Sequence, residues 1–356
     1  MAYSSTSARV AAVFAALSLA AAACSGGDEA TADTTAATEA PTTQTTAAPT
    51  TTTTAKPRSV TDGAPFTGLP VPAGVDLSGP ALAVKIDNHP DARPQTGLDQ
   101  ADMVMEMRAE GVTRFLAVFH SQQPSPVGPV RSSRTSDFDL LRGLSMPLYA
   151  SSGGNNYVAS GLRSLPIYPI TALTTNAYFR DNVHAAPHNL YANTPDLFAL
   201  APEEAGPPSP WFSYRAEGAD LPTTATPVTG PVIVAYPGGP IVTNTWDSAT
   251  NGWLRTQDGR PHTTIDGDQL SPENVVIMET VYVVSPADSA SPELVSIGSG
   301  KAYVLTAGHV IEGRWERELA EDPPTLTDDS GDPILLTPGR TWILYPEDAG
   351  TLLPES

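Results

Sequence analysis

The stretch Ala81-Leu-Ala-Val-Lys-Ile86 is an apolar run interrupted by one lysine, and polar residues 87–89 follow it at once. A short run rich in Val, Ile and Leu that ends in turn-forming residues predicts a strand. Thr113-Arg-Phe-Leu-Ala-Val-Phe119 has the same character. If the two strands are neighbours in one sheet, the polar residues beside them are brought together.

Further segments predict short strands and few helices. Met103-Val-Met-Glu-Met107 is ambiguous between helix and strand, and the strand is favoured. Helices are predicted at 137–144, where an acid stands in the first turn, and at 156–165. Strands of the second half are predicted at 232–236, 252–255, 275–278, 281–284, 294–297, 302–306, 314–317 and 341–345.

The length of the chain and its proline distribution predict two domains. Beyond residue 63 the chain is too long for one ordinary core, and a segment rich in Pro and Gly spans 201–230. This segment is the predicted linker between domains at 64–200 and 231–356. The predicted fold class is α+β, with a mixed α/β first domain followed by a mostly antiparallel β-rich second domain, after a disordered stalk.

Residues 1–23 have the features of a secretory signal peptide. Arg9 precedes an apolar run at 10–23, which is shorter than the ~20 residues of a membrane-spanning helix. Cys24, the one cysteine, ends this run and resembles the lipobox cysteine of bacterial lipoproteins, although Ala21 stands where Leu is usual. An uncleaved anchor or an ordinary secretory signal are the alternatives. The favoured hypothesis is a lipid on Cys24 that holds the protein on the extracytoplasmic face of the bacterial cell membrane.

Composition narrows the classes of partner. Residues 24–63 are rich in Thr, Ala and Pro, which predicts a disordered stalk behind the lipidated cysteine. The chain has 19 basic and 39 acidic residues and a formal net charge of −20, so no nucleic acid partner is expected. Neither a cofactor nor a disulfide is predicted, since acylation uses the only thiol.

A polar stretch after the first predicted strand holds the first candidate site residues. Asp87, Asn88, His89 and Arg93 either converge on a pocket or satisfy one another around a proline-rich turn. Both interpretations are open on these residues alone.

Glu106 and Glu110 suggest a carboxylate pair such as glycosidases use. On one strand their backbones would be about 13 Å apart, which is long for that chemistry. Ion pairing with Arg108, Arg114 or Arg134 is therefore favoured.

Two arginines, Arg131 and Arg134, follow Gly-Pro-Val in one predicted loop. The fork of a guanidinium matches carboxylate or phosphate, so the pair could bind an anion. Alternatively, the two hold Asp87, Glu106 or Glu110 internally.

His184 and His188 have the spacing of a helical zinc pair, but Pro187 between them disfavours a helix. No metal site is therefore predicted.

Several blocks resemble the YerB-like family of bacterial lipoproteins. They are Ile86-Asp-Asn-His-Pro-Asp-Ala-Arg-Pro-Gln-Thr-Gly-Leu, Ala101-Asp-Met-Val, Glu110-Gly-Val-Thr-Arg-Phe-Leu-Ala-Val-Phe, Gly128-Pro-Val-Arg-Ser-Ser-Arg and Ala186-Pro-His-Asn-Leu-Tyr191. Weaker similarity continues through Arg255, Gly259-Arg-Pro-His262 and Pro338-Gly-Arg-Thr-Trp342. The resemblance implies two adjoining domains of unknown function and supplies no activity.

The favoured function is a non-catalytic module that binds a cell-wall polymer, either glycan or peptide, or an envelope protein. A hydrolase or transferase acting on an envelope polymer, with His89 or His188 as base, is the second hypothesis. A purely architectural lipoprotein is the third. No catalytic residue is assigned. The candidate binding cleft comprises Asp87, Asn88, His89, Arg93, Glu106, Glu110, Arg114, Arg131, Arg134, His188 and Asn189.

Overall fold

The structure, a computed structural model, describes residues 63–71, 73–172, 174–347 and 350–354. The predicted signal peptide, Cys24 and the stalk up to residue 62 lie outside these residues and remain predictions. Among the described residues, no helix has the length and apolar character needed to span a membrane.

Strands dominate the described chain, and the helices are short. The α-helices are α1 (Asp137–Arg142), α2 (Asn156–Ser164) and α3 (Thr194–Phe198), and short 3-10 helices cover Pro90–Ala92 and Leu98–Gln100. Helix α2 begins where the side chain of Asn155 accepts a hydrogen bond from Val158 N at 3.0 Å, a typical N-terminal cap. The chain is therefore mostly β with a few helices, which agrees with the predicted class at that level.

The strands follow one another along the chain in this order. They are β1 (Leu82–Asp87), β2 (Met103–Arg108), β3 (Thr113–Phe119), β4 (Leu148–Ser151), β5 (Tyr168–Thr171), β6 (Tyr178–Arg180), β7 (Leu190–Ala192), β8 (Thr226–Pro227), β9 (Val232–Ala235), β10 (Ile241–Asp247), β11 (Gly252–Gln257), β12 (Arg260–Pro261), β13 (Asn274–Met278), β14 (Tyr282–Val284), β15 (Pro292–Leu294), β16 (Gly298–Thr306), β17 (His309–Arg317), β18 (Thr325–Asp328), β19 (Thr341–Leu344) and β20 (Thr351–Leu352). The ambiguous segment 103–107 is a strand.

One large mixed sheet organises the molecule. Its order is β18-β17-β16-β13-β19-β2-β3-β1-β4-β5, and β8 joins beside β17 to make eleven strands. Strand β19 is parallel to both β13 and β2, and so connects strands from the two sides of the predicted linker. Strands β1 and β3 are antiparallel neighbours, which brings together the polar residues beside them.

Two apolar layers cover the faces of the large sheet. A five-stranded sheet, β12-β11-β10-β9-β20, packs through Val232 and Trp253 on the face that carries Leu82 and Val84. Helices α1 and α2 pack with Trp211 on the opposite face. Each apolar layer draws residues from both predicted domains, and all the described residues belong to one compact unit.

The predicted linker at 201–230 has little regular structure but is anchored to the core. Trp211 and Tyr214 are each only 2% exposed. The indole of Trp211 donates a hydrogen bond to Gly143 O at 2.7 Å, and the hydroxyl of Tyr214 donates to Phe66 O at 2.5 Å. The domain boundaries on either side remain a prediction, while the segment itself is packed over the large sheet.

Candidate functional site

A polar cleft of about 410 Å³ opens where β1 ends and β3 begins. It is lined by Asp87, His89, Glu110, Val112, Arg114, Arg131, Arg134, Asp288 and Ser291. Most of the predicted binding residues therefore surround one cleft, although they come from separate parts of the chain. The loop between β14 and β15 adds the last two residues from the second predicted domain.

The register of the large sheet places the first members of the cleft. Asp87 is the last residue of β1 and lies directly opposite Arg114 of β3. Glu110 lies in the turn between β2 and β3, where Gly111 has a φ of 67° that glycine adopts without strain. The turn thus returns the chain so that the carboxylate of Glu110 faces Arg114.

Arg131 is positioned by backbone pairing with the end of β1, past the residues of β1 that pair with β4. Its N–H donates to Lys85 O at 2.8 Å, and Asp87 N donates to Pro129 O at 2.9 Å. Residues 129–131 therefore run along β1 as an extension of the sheet. This pairing places Arg131 Nε 3.0 Å from Asp87 Oδ2.

A buried ion pair beneath the cleft ties β1 to helix α1. Lys85 Nζ lies 2.6 Å from Asp137 Oδ1, and both side chains are almost fully buried. Asp137 also accepts hydrogen bonds from Arg134 N at 2.8 Å and from the Tyr149 hydroxyl at 3.0 Å. Burial lowers the pKa of Lys85, and the charge of Asp137 opposes that shift. The pair fixes the backbone that presents Arg134 to the cleft.

Glu110 is held by two arginines and a serine. Arg114 Nη2 donates to its Oε2 at 3.1 Å, while Arg134 Nε and the Ser291 hydroxyl donate to its Oε1. Burial raises the pKa of this carboxyl, but the hydrogen bonds from Arg134 and Ser291 and the charge of Arg114 outweigh it and lower the pKa to about 2. Glu110 is therefore a fixed carboxylate at neutral pH.

Asp87 is held from three directions and links two histidines. His89 N donates to its Oδ1 at 3.0 Å, and His188 Nδ1 donates to its Oδ2 at 2.7 Å, beside Arg131. The rings of His89 and His188 stack with centroids 4.5 Å apart. His188 is thus not part of the cleft lining, but it contacts two residues that are, Asp87 and His89. Its Nδ1 is occupied by the hydrogen bond to Asp87.

Among the described residues, His89, Asp91 and His188 are the group best placed to hold a metal ion. Their candidate ligand atoms all lie within 4.8 Å of one another. The two imidazole planes are only 16° apart, so in-plane lone pairs of the two rings do not converge on one point. Ligation of one ion by both histidines would require a ring to rotate.

Glu106 lies outside the cleft, on the face of the large sheet that meets the five-stranded sheet. Its Oε2 is 2.9 Å from Arg255 Nη2, and its Oε1 accepts from Thr113 Oγ1 at 2.7 Å. The partner is none of the arginines considered in the sequence, because side chains on this face point away from the cleft. Burial raises the pKa of Glu106, and Arg255 opposes the shift. Since arginine keeps its proton in proteins, Glu106 is the carboxylate that balances it.

Arg255 is the centre of a buried polar network between the two sheets. Its guanidinium lies 4.6 Å from the centre of the Trp342 ring, a cation–π contact. Its Nε donates to His262 Nδ1 at 2.9 Å, and His262 Nε2 donates to Gln95 Oε1 at 2.8 Å. Burial, together with the charges of Arg255 and Arg93, lowers the pKa of His262 well below its ordinary value. The imidazole is therefore neutral, and this network has a structural role.

Three other predicted residues also lie away from the cleft. Asn88 joins the buried network through a 2.7 Å hydrogen bond to Thr113 Oγ1. Arg93 pairs with Asp258 at 3.6 Å. Asn189 accepts from Arg180 Nη1 at 2.6 Å. Asn88 follows Asp87 in an extended segment, and successive side chains there point to opposite faces, which explains why the two separate.

Sequence reasoning missed two residues of the cleft lining, Asp288 and Ser291. The Ser291 hydroxyl lies 2.9 Å from Asp288 Oδ2 and 2.6 Å from Glu110 Oε1, so the two carboxylates share its one hydrogen. The two stand in a Ser- and Pro-containing turn of ordinary composition, so no local signal sets them apart. Arg255 and His262, by contrast, lie within the weaker blocks of the family resemblance.

The regions that match known proteins cover most of the described chain. The "Protein of unknown function (DUF3048) N-terminal domain" matches residues 66–206, and the corresponding C-terminal domain matches 232–343. The "Putative lipoprotein YerB" of Bacillus subtilis (strain 168) is 30% identical over 292 residues, which are 79% of this chain and 85% of that protein. A crystal structure of the YerB protein from Bacillus subtilis has a TM-score of 0.70 at 26% identity, covering 82% of this chain and 99% of the other.

Proposed function

Since the chain belongs to the DUF3048 family of YerB-like proteins, we propose that it is a cell-envelope lipoprotein whose cleft binds a cell-wall polymer or an envelope protein without altering it. One observation carries the proposal. Side chains from β1, the β2–β3 turn, the loop before α1 and the β14–β15 loop converge on one open polar cleft of about 410 Å³. That volume is typical of a ligand site, and the polar lining suits a hydrated polymer or a polar protein segment.

The state of the acidic groups favours binding over catalysis. A general acid or base works best with a pKa near the ambient pH, whereas Glu110 has a pKa of about 2. Asp87 is 2% exposed, and both its oxygens are engaged by His89 N, Arg131 and His188. These two carboxylates therefore hold the cleft in shape.

A hydrolase or transferase remains the second candidate because of the contact between Asp87 and His188. A carboxylate that accepts from Nδ1 of a histidine, here at 2.7 Å, leaves Nε2 as the basic nitrogen, as in Asp–His pairs of hydrolases. His188 would then activate water or a hydroxyl of the polymer. Time-dependent release of soluble fragments from cell-wall material, lost in His188→Ala, would favour this candidate.

The binding test uses insoluble cell-wall material and the full-length protein in detergent. Co-sedimentation is expected for the wild type and strongly reduced for His89→Ala and Arg131→Ala, whose side chains line the cleft. Arg314→Ala, an exposed arginine of β17, is the matched control and is expected to sediment like the wild type. Equal sedimentation of all four proteins would contradict a role for the cleft. If His89→Ala and Arg131→Ala also lose several kcal/mol of stability, the architectural hypothesis gains support.

The proposed anchor is a lipid on Cys24. Stable membrane attachment needs two acyl chains or a comparable second signal, which the modification of a lipoprotein cysteine provides. Cys24→Ser is expected to move the protein from the detergent phase to the aqueous phase or to leave an uncleaved precursor. Phase partitioning and the mass of the N-terminal peptide measure this. Unchanged detergent partitioning of a Cys24→Ser protein whose N-terminal peptide mass shows that residues 1–23 have been removed would exclude the lipid anchor.

A further inference from the structure

The arginines of the cleft have more hydrogen-bond donors than their internal partners use. Among the described residues, Arg131 Nε lies 3.0 Å from Asp87 Oδ2 as an ion pair without a hydrogen bond, and neither of its Nη atoms has a hydrogen-bond partner. Arg134 uses Nε for Glu110 and Nη1 for Ser133 O, which leaves Nη2. Arg114 uses both Nη atoms, and its buried Nε has no partner. A guanidinium has five N–H groups, so the surplus is large.

The acceptors of the cleft are already occupied. Both oxygens of Glu110 and both oxygens of Asp87 receive donors from the protein. Asp288 receives Ser291 N and Ala290 N on one oxygen, and its other oxygen shares the single hydrogen of the Ser291 hydroxyl with Glu110. The unused hydrogen-bonding capacity of the cleft therefore lies on its cations, and a ligand that fills it must bring acceptor oxygens.

The arginines are held in place before any ligand arrives. The side chains of Arg114, Arg131 and Arg134 are 6%, 24% and 22% exposed, and each is tied to a carboxylate. Partial burial strengthens a charge-assisted hydrogen bond, and fixed side chains lose little entropy on binding.

We propose that the cleft binds a phosphate group, through the free Nη atoms of Arg131 and Arg134. The proposal rests on the proposed binding function and deepens it. A tetrahedral phosphate takes donors from several directions, which matches unused N–H groups on separate guanidiniums, whereas a planar carboxylate is satisfied by one fork. The net charge of −20 makes nonspecific attraction of anions improbable, so phosphate binding would report on the cleft itself.

The test is calorimetric titration of the full-length protein in detergent with inorganic phosphate and with glycerol phosphate, at constant ionic strength. Both are expected to bind saturably, and acetate at least tenfold more weakly. Arg131→Gln is expected to weaken phosphate binding at least tenfold, and Arg314→Gln, the exposed control, to leave it unchanged. Arg131 also holds Asp87, so a second variant and a second readout are used. The variant is Arg134→Lys, and the readout is the broadening of the phosphorus NMR line of the added phosphate. Acetate binding as tight as phosphate, or no phosphate binding by the wild type, overturns the proposal.

Co-sedimentation with cell-wall material separates this inference from the function on which it rests. If phosphate does not bind but sedimentation still depends on Arg131, the cleft has a ligand of other chemistry, and only the phosphate proposal fails. If phosphate binds and sedimentation is absent, the phosphate proposal stands and the cell-wall function fails. Competition of free glycerol phosphate against sedimentation would support both.

Discussion

Glu110 shows how a single carboxylate organises the residues of the cleft. It receives Arg114 of β3, Arg134 of the loop before α1 and Ser291 of the β14–β15 loop, so three segments meet at one side chain. Such a group stabilises the fold only while it is ionised. Its contribution is therefore coupled to pH.

Glu110→Gln is expected to lower the free energy of unfolding at pH 7 by about 1–2 kcal/mol, since the pair is partly exposed and screened by solvent. The folded pKa of about 2 lies below the ordinary value near 4.3. The stabilisation by ionised Glu110 is thus complete above about pH 4.3 and disappears as the pH falls toward 2. Urea unfolding of both proteins from pH 7 to pH 2 should show their difference shrinking.

Glu312→Gln is the control, because Glu312 pairs with Lys301 while about half exposed. Its effect should stay within about 0.5 kcal/mol at every pH. A difference between wild type and Glu110→Gln that is constant from pH 7 to pH 2 would contradict the role of ionised Glu110.

At the level of individual residues, the sequence limited Arg131 and Arg134 to two possible roles and did not decide between those roles. Arg131 and Arg134 were open to two interpretations, an anion site or internal pairing with Asp87 and Glu110. The structure contains the internal pairs and also leaves Nη atoms free, so the two interpretations are compatible. Which donors remain unused depends on angles between distant segments, and no local pattern encodes those angles.

At the element scale, the buried ion pair between Glu106 of β2 and Arg255 of β11 joins the large sheet to the five-stranded sheet. Glu106→Gln should leave the charge of Arg255 buried without a counter-ion and lower the free energy of unfolding by about 3–5 kcal/mol. The double variant Glu106→Met with Arg255→Met should recover most of that loss, because both charges are gone. Denaturant unfolding of the single and double variants measures the coupling. A loss below about 1 kcal/mol for Glu106→Gln would show that the pair is not electrostatically coupled.

The segment 201–230 behaves as part of the core through Trp211. Trp211→Ala should lower the free energy of unfolding by about 3–5 kcal/mol, the usual effect of removing a buried aromatic side chain. Leu200→Ala, just before this segment in the sequence and 45% exposed, should change it by less than about 0.5 kcal/mol. Equal effects of the two substitutions in chemical denaturation would show that Trp211 is not anchored as described.

Local patterns predicted the strands with strong apolar character and missed the others. β1 and β3 are rich in Val, Ile, Leu and Phe, and β2 was ambiguous but favoured as a strand. β10 was not predicted, because its inward Val242 and Asn244 alternate with exposed or half-exposed neighbours and give a weak apolar signal. The pairing of β19 between β13 and β2 was also out of reach, since partners so far apart leave no mark on either segment.

At the scale of the whole molecule, the large sheet makes the two predicted domains share their cores. Limited proteolysis of the full-length protein should therefore leave one resistant species that contains both 64–200 and 231–356, as judged by native size exclusion and mass spectrometry. If cleavage falls within 201–230, the two pieces should still elute together, since β19 pairs with both sides. Pieces that separate without denaturant would favour two independent folding units.

The position of β19 between β2 and β13 also has a consequence for the order of events during synthesis. A ribosome makes residues 103–108 long before residues 341–344, so the edge of β2 stays without its partner while most of the chain emerges. An open edge of this kind is a template for pairing with other chains. Sheets closed by such distant contacts also assemble slowly. We therefore expect this topology to make the nascent protein benefit from a chaperone that shields the edge of β2 until its last strands arrive.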